Sequence, residues 1–424
     1  MAELVIKGGV IIDAAGERSG DVVIDGGRVV AVGTGLSADR VIDAGGCVVS
    51  PAFVDLHTHL REPGREEAET IEAASRSAVL GGFGAVMAMP DTSPAIDSAA
   101  AVRDVQALGR DALCDICVAG AITVGRDGDR LTPMAEMAAL GVRLFTDGDR
   151  GVQDDRLMRR ALEYASGLGV TLAQHCEVAA LAEGGHMNEG AVSSWLGIPG
   201  IPAEAEELML MRDVTLSRLT GARVHFLHLS TAGSVGILRA AKSSGLPVTA
   251  AAAPHHFALT EQAVSTFDPV FKVSPPLRTE GDVDAIKLAL HDGVFDAIAS
   301  DHAPHEPHMK ELPFDEAPPG VTGLETAFSV ALTELDMPLA HLLALFSWQP
   351  AALAGIAGQH GGPVEPGRQA NLAVIDPDAT WVVDAAASES RGKNNPYDGR
   401  TLRGRVRHTV VRGLPVVLDG EVQQ

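Results

Sequence analysis

The sequence predicts an α/β protein: a closed, TIM-like (β/α)8 barrel flanked by strand-rich ends that pair into one small β domain. Three observations carry this. From Pro51 onward, short apolar runs alternate with longer helical stretches over about 300 residues, the pattern of repeated β-α units. Before that point and after about residue 362, short β-branched runs separated by glycine turns replace the alternation. The composition, 46 % hydrophobic but only 4 % aromatic, suits tight packing of helices on a sheet. The expected division is 1–50 and 363–424 for the two parts of the β domain, and 51–362 for the barrel.

The N-terminal part opens with Leu4-Val5-Ile6-Lys7, a Gly8-Gly9 turn and Val10-Ile11-Ile12. Asp21 to Ile24 and Arg28 to Val32 flank Asp25-Gly26-Gly27, a strong hairpin signal. Val41-Ile42-Asp43 and Cys47-Val48-Val49 complete this set. In the barrel region the strand candidates are Gly84–Met89, Val142–Phe145, Val170–Ala173, Val224–Leu227 and Phe295–Ala299. Between them, Glu67–Gly81, Asp154–Gly169 and Glu204–Gly221 read as helices, each ending in glycine as helix C-termini often do. Pro304–Gly320 reads as a long loop, the kind that covers or lines a site. Asn371–Asp376, Trp381–Val383, His408–Val411 and Pro415–Leu418 return to strand character.

Bulk properties narrow the function. A net charge of −23 argues against a nucleic-acid-binding surface, so the positive field for an anionic substrate must be local. No signal peptide and no membrane helix is expected, and the four cysteines point to a reducing cytoplasm. Cys114 and Cys117 form a C-x-x-C. With no second pair, they read as small apolar residues within a buried run. Gly81-Gly82-Phe83-Gly84 ends a helix and starts a strand, the reverse of a phosphate loop.

The chemistry concentrates at strand ends. In Val54-Asp55-Leu56-His57-Thr58-His59-Leu60-Arg61, residues two apart on an extended strand point the same way. His57 and His59 therefore address one point, as metal ligands would. A lone H-x-H is weak, since two polar loop residues look the same. His175, His228, Asp301 and Asp147 each follow an apolar run in the same manner. Barrel active sites form at those C-terminal strand ends, so four histidines and two aspartates converge on one mouth with a donor set appropriate to zinc. His225 points opposite to His228 and reads as packed. His255 and His256 read as structural residues near that mouth.

These residues resemble the amidohydrolase superfamily and, within it, the long bacterial dihydroorotases. The resemblance rests on His57-Thr58-His59-Leu60-Arg61-Glu62-Pro63-Gly64, Ala88-Met89-Pro90-Asp91-Thr92, Lys272 to Arg278, Asp301-His302-Ala303-Pro304-His305 and Gly320 to Glu325. It spans nearly the whole chain. It implies a small β-sandwich made from both termini and reversible, zinc-dependent cyclisation of N-carbamoyl-L-aspartate to L-dihydroorotate in pyrimidine biosynthesis. It also implies that His57, His59 and Asp301 hold a first zinc. Asp147, with Asp149 as a rival, would bridge to a second zinc held by His175 and His228; one or two ions remain open. Asp301 would shuttle the proton. Arg61 and His305 would hold the substrate carboxylate, and Asp91, Ser274, Gly320 and Gly323 would face the substrate. A homo-oligomer and a complex with aspartate transcarbamoylase are further implications.

Two positions depart from the family pattern, which has asparagine at both Asp91 and Ser274. A carboxylate at 91 would repel the substrate's own unless protonated or paired with Arg61. Serine lacks the paired donor and acceptor of an amide. Two other readings compete. An allantoinase- or hydantoinase-like cyclic amidase would share barrel and metals, and Arg61 argues against it. A non-catalytic scaffold for aspartate transcarbamoylase would be expected to have lost metal ligands.

Overall fold

The computed structural model describes residues 2–423. Eight parallel strands form the barrel: Phe53–Thr58, Phe83–Ala88, Asp115–Val118, Leu144–Phe145, Thr171–Gln174, Val224–Phe226, Val248–Ala252 and Ala297–Ile298. Ladders join the first three strands and the last five. Isolated parallel bridges, Gly120 to Phe145 and Thr58 to His302, join the two groups at both seams. Strand order therefore follows chain order, as alternating β-α units require.

The strands are short and buried on both faces, which explains their near-continuous apolar runs. Leu56, Met87, Leu144, Ala173, Leu227, Ala251 and Ala297 fill the barrel interior as one cluster. Outside it, a larger cluster joins strands to helices through residues such as Phe83, Met158, Leu210, Leu238 and Ile286.

Helix ends follow local chemistry. Thr70, Ser98, Asp154, Thr231 and Thr279 accept the orphan amide three residues on, as N-cap side chains do. The first helix covers Ile71–Leu80 rather than starting at Glu67, because Thr70 supplies the cap. Gly169 and Gly221 end their helices at φ of 66° and 69°, the left-handed position that favours glycine. Gly81 is required for another reason: a Cβ there would lie 2.1 Å from the Leu324 carbonyl oxygen.

Both ends of the chain enter one nine-stranded sheet. Val48–Pro51 from the N-terminal part pairs antiparallel with Leu372–Val382 from the C-terminal part. Asp13 strengthens the join by accepting from Arg18 and from the amide of Val364. No helix among the described residues is long and apolar enough to cross a membrane. The loop after Asp301 contains one 3-10 turn, Pro307–Lys310. Two ammonium groups pin it. Lys310 donates to the carbonyls of Pro269 and Pro318, and Lys272 donates to those of Phe314 and Asp315.

Candidate metal centre

His57 ends the first barrel strand and His59 lies just beyond it. Their Nε2 atoms are 3.1 Å apart. His228 follows the sixth strand, with its ring centroid 5.0 Å from that of His57 and 5.1 Å from that of His175. Asp301 Oδ1 lies 3.4 Å from His57 Nε2. Ligand atoms of His57, His228 and Asp301 all fall within 4.8 Å of one another, and all three residues are buried.

This convergence needs unusual backbone. Arg61, His228 and Asp301 have φ of 62°, 27° and 51°, values that non-glycine residues seldom adopt and that cluster at functional sites. Buried carboxylates fix the neighbouring chain. Asp55 accepts from Ser300 N at 2.7 Å, Ser300 Oγ at 2.6 Å and Thr58 Oγ1 at 2.5 Å. Glu206 accepts from the amides of Ser230 and Thr231, just after His228. The histidines are thus carried on loops held from behind.

The electrostatics suit a cation. Burial, then the neighbouring imidazoles, holds His57 and His228 well below the usual histidine range. Both are neutral and keep lone pairs. His57 Nδ1, both nitrogens of His175 and His228 Nδ1 are buried without a hydrogen-bond partner. Such orphaned groups are costly unless something binds them. Burial and then Asp55 push the Asp301 carboxyl up to about 7. Neutral imidazoles beside a carboxyl group that must shed its proton to bind a cation make a fitting donor set for a borderline divalent ion.

A cavity of about 180 Å³ opens over this cluster, and Arg61, Arg65, Ser274, His305 and Gly320 line it. Arg65, four residues beyond Arg61 and between two turns, is a cation that no sequence motif singled out. No carboxylate among the described residues pairs with it. His305 is held low, to about 3, by burial and then Arg61, so it adds no positive charge. Its Nε2 lies 2.8 Å from the Pro319 carbonyl oxygen.

Asp147, its rival Asp149, Asp91 and Gly323 make other contacts than the sequence pattern suggests. Asp147 does not turn toward the histidines: Ile122 N, Thr123 N and Thr123 Oγ1 donate to it at 2.9, 3.0 and 2.6 Å. Its rival Asp149 reaches the cavity wall but pairs with Arg126 at 2.5 Å. Asp91 does not face the substrate space. It sits behind the wall, with Oδ2 2.7 Å from Arg61 and 2.8 Å from His59 Nδ1. The latter is a close charge contact that lies off the hydrogen-bond axis. Although burial opposes it, the contacts with His59 and Arg61 hold Asp91 well below the usual carboxylate range. Gly323 packs on Ser300, where a Cβ would lie 2.4 Å from the carbonyl oxygen.

His255 belongs to the site more closely than its sequence context suggested. Its Nε2 is 3.5 Å from Asp301 Oδ2. His256 instead meets the Pro275 carbonyl at 3.0 Å, and His225 meets Thr249 Oγ1 at 2.9 Å. Cys114 and Cys117 are free thiols. Burial pushes both up, Cys117 to about 12, so neither is a reactive thiolate at neutral pH.

Comparisons with known proteins agree with this architecture. A family profile described as dihydro-orotase-like matches residues 46–234. The dihydroorotase of Streptomyces coelicolor is 47 % identical over 384 residues, covering 89 % of this chain and 90 % of that one. The dihydroorotase of Mycobacterium tuberculosis is 45 % identical over 390 residues, 89 % of each chain. Among solved structures, the L-hydantoinase (dihydropyrimidinase) of Arthrobacter aurescens superposes with a TM-score of 0.90 at 25 % identity, covering 100 % of this chain and 98 % of that one. The dihydropyrimidinase of Brevibacillus agri, at 24 % identity and a TM-score of 0.86 over 100 % of this chain and 96 % of that one, shares the fold.

Proposed function

The chain belongs to the dihydroorotase family, and from that premise we propose that it interconverts N-carbamoyl-L-aspartate and L-dihydroorotate in pyrimidine biosynthesis. The observation that carries the reading is the buried set of neutral imidazoles and Asp301 beneath a cavity lined by two arginines. His57, His228 and Asp301 would hold the metal, with His59 Nε2 adjacent to them. We take the metal to be zinc, because imidazole and carboxylate ligands suit it. When bound, such an ion supplies Lewis-acid polarisation of the ring carbonyl and a water activated near neutral pH.

The residues themselves do the rest. Arg61 and Arg65 attract the substrate's carboxylate into an otherwise acidic protein, and guanidinium can hold it with two parallel hydrogen bonds. Asp301 moves the proton. In ring opening its carboxylate takes a proton from the attacking water and returns it to the leaving ring nitrogen. In ring closure it takes the ureido proton as that nitrogen attacks the carboxyl carbon and passes it to the departing oxygen, which leaves as water with a second proton from solvent. Asp301 Oδ2 lies 3.5 Å from His255 Nε2, so the proton it moves has an imidazole beside it. The loop over 304–320, pinned by Lys310 and Lys272, limits bulk water at the mouth.

Two substitutions test the assignment. His57→Ala should lose bound zinc and activity together. Arg61→Ala should keep zinc, while KM for L-dihydroorotate rises roughly 10- to 100-fold, the worth of one charged contact. Full zinc occupancy in His57→Ala, or an unchanged KM in Arg61→Ala, would contradict the reading.

A further inference from the structure

Apart from Asp301 itself, the buried aspartates Asp55, Asp147 and Asp91 near the cavity differ in kind. Asp55 and Asp147 each accept three hydrogen bonds, with backbone amides among the donors. Both serve as structural clamps for loops. Asp91 receives no backbone donor. One oxygen, Oδ2, makes both of its contacts, to Arg61 and to His59 Nδ1. The other, Oδ1, is buried and unpartnered. The clamps are satisfied on both oxygens; Asp91 is not, and few buried polar atoms go unpaired. This one touches only two side chains, and both line the cavity.

The two contacts have different consequences. A carboxylate 2.8 Å from Nδ1 of His59, beside the candidate ligands, restrains that ring with Nε2 forward, as carboxylates behind metal-site histidines do. Here Nε2 of His59 points to Nε2 of His57. The same carboxylate neutralises Arg61, whose guanidinium is otherwise tied only to the Pro304 carbonyl, by Nε at 3.2 Å. The cation that meets an incoming carboxylate is thereby weakened, and Arg65 is left as the uncompensated charge at the mouth.

We propose that Asp91 is a positioning residue that tightens metal binding through His59 while moderating the hold of Arg61 on the substrate's carboxylate. This rests on the reading of the cavity as a site for a carboxylate-bearing ring. It sets Asp91 apart from a residue that serves folding alone, whose loss would worsen every property together. Here the two functions should move in opposite directions.

Asp91→Asn tests this, being equal in shape and lacking the charge. Zinc affinity is measured by competition with a chromogenic chelator. KM and kcat are measured with L-dihydroorotate and with hydantoin, which has no carboxylate, at saturating zinc. The zinc Kd should rise about 10- to 100-fold. KM for L-dihydroorotate should fall roughly tenfold as a like charge leaves the neighbourhood, and any KM for hydantoin should stay unchanged. Asp91→Glu, which keeps the charge, should retain zinc within about threefold of the parent, and it keeps the test open should the asparagine variant fold poorly. An unchanged zinc Kd in Asp91→Asn, a loss in Asp91→Glu as large as that expected of asparagine, or a KM that rises for L-dihydroorotate would overturn the proposal. If the parent protein turns over hydantoin but not L-dihydroorotate, the substrate reading fails instead, and the zinc measurements still decide the role of Asp91 toward His59.

Discussion

Asp55→Asn is the perturbation that most directly connects the fold to the site. Asp55 is fully buried and holds two loops at once. It accepts from both the amide and hydroxyl of Ser300, which precedes Asp301, and from Thr58, which lies between His57 and His59. Asparagine preserves the volume but turns one acceptor into a donor. Asparagine can keep its oxygen on the Ser300 amide, but the Thr58 and Ser300 hydroxyls must then turn to accept from its NH2 group, and all three bonds lose their charge assistance. Three such bonds to one group do not add, so the loss is about 2–4 kcal/mol rather than three separate penalties. An unfolding entropy of about 2.1 cal/mol/K per residue over 424 residues gives roughly 0.9 kcal/mol/K. The thermal midpoint should therefore fall about 2–5 °C. Circular dichroism melting gives the midpoint, and metal analysis after gel filtration gives occupancy, which should fall because Asp301 and the His57–His59 pair lose their shared anchor. A midpoint within about 1 °C of the parent, together with full occupancy, would refute the clamp.

Further perturbations address other parts of the argument. Asp13 accepts from Arg18 at 2.8 and 3.1 Å, from Val364 N at 2.7 Å and from Ala15 N at 2.8 Å. Burial opposes ionisation, but these bonds outweigh it and lower the carboxyl below its ordinary value. Its stabilisation is thus complete above the unfolded value of about 3.9 and is lost as pH falls through the lower folded value. Asp13→Asn should cost about 1–2 kcal/mol at pH 7, and urea titrations of metal-free protein should show that gap closing only below about pH 4. A gap that is constant with pH would remove the charge from the explanation. Gly323→Ala must displace the Ser300 carbonyl, 2.4 Å from the new Cβ; overpacking of this kind costs about 1–3 kcal/mol, and zinc retention should fall because Asp301 adjoins Ser300. Stripping metal with a chelator should lower the thermal midpoint, and restored zinc should return it, since a ligand held at about 1,000 times its Kd stabilises by roughly 4 kcal/mol.

Much of the fold can be read along the chain because its signals are local. Alternating runs mark the β-α units, and threonine, aspartate and glycine mark helix ends at Thr70, Asp154, Gly169 and Gly221. The pairing of His57 with His59 follows from the two-residue period of a strand. The direction in which a loop side chain turns does not follow from such periods. Asp147 sits after a strand as a ligand would, yet amides more than twenty residues earlier in the chain capture it. Asp91 turns behind the wall because Arg61 and His59, about thirty residues away, offer it a guanidinium and an imidazole nitrogen. His255 reaches Asp301 across a 46-residue separation, which the parallel pairing of the seventh and eighth barrel strands spans. Each of these depends on which loops share the barrel mouth, a fact of tertiary packing.

The central claim is tested most directly by turnover of zinc-loaded protein with L-dihydroorotate and N-carbamoyl-L-aspartate, beside hydantoin and allantoin. The account predicts interconversion of the first pair, lost on chelation and recovered with zinc, and little or no turnover of the rings that lack a carboxylate. Turnover of hydantoin or allantoin alone, or no turnover of any of them by protein with zinc bound, would contradict it.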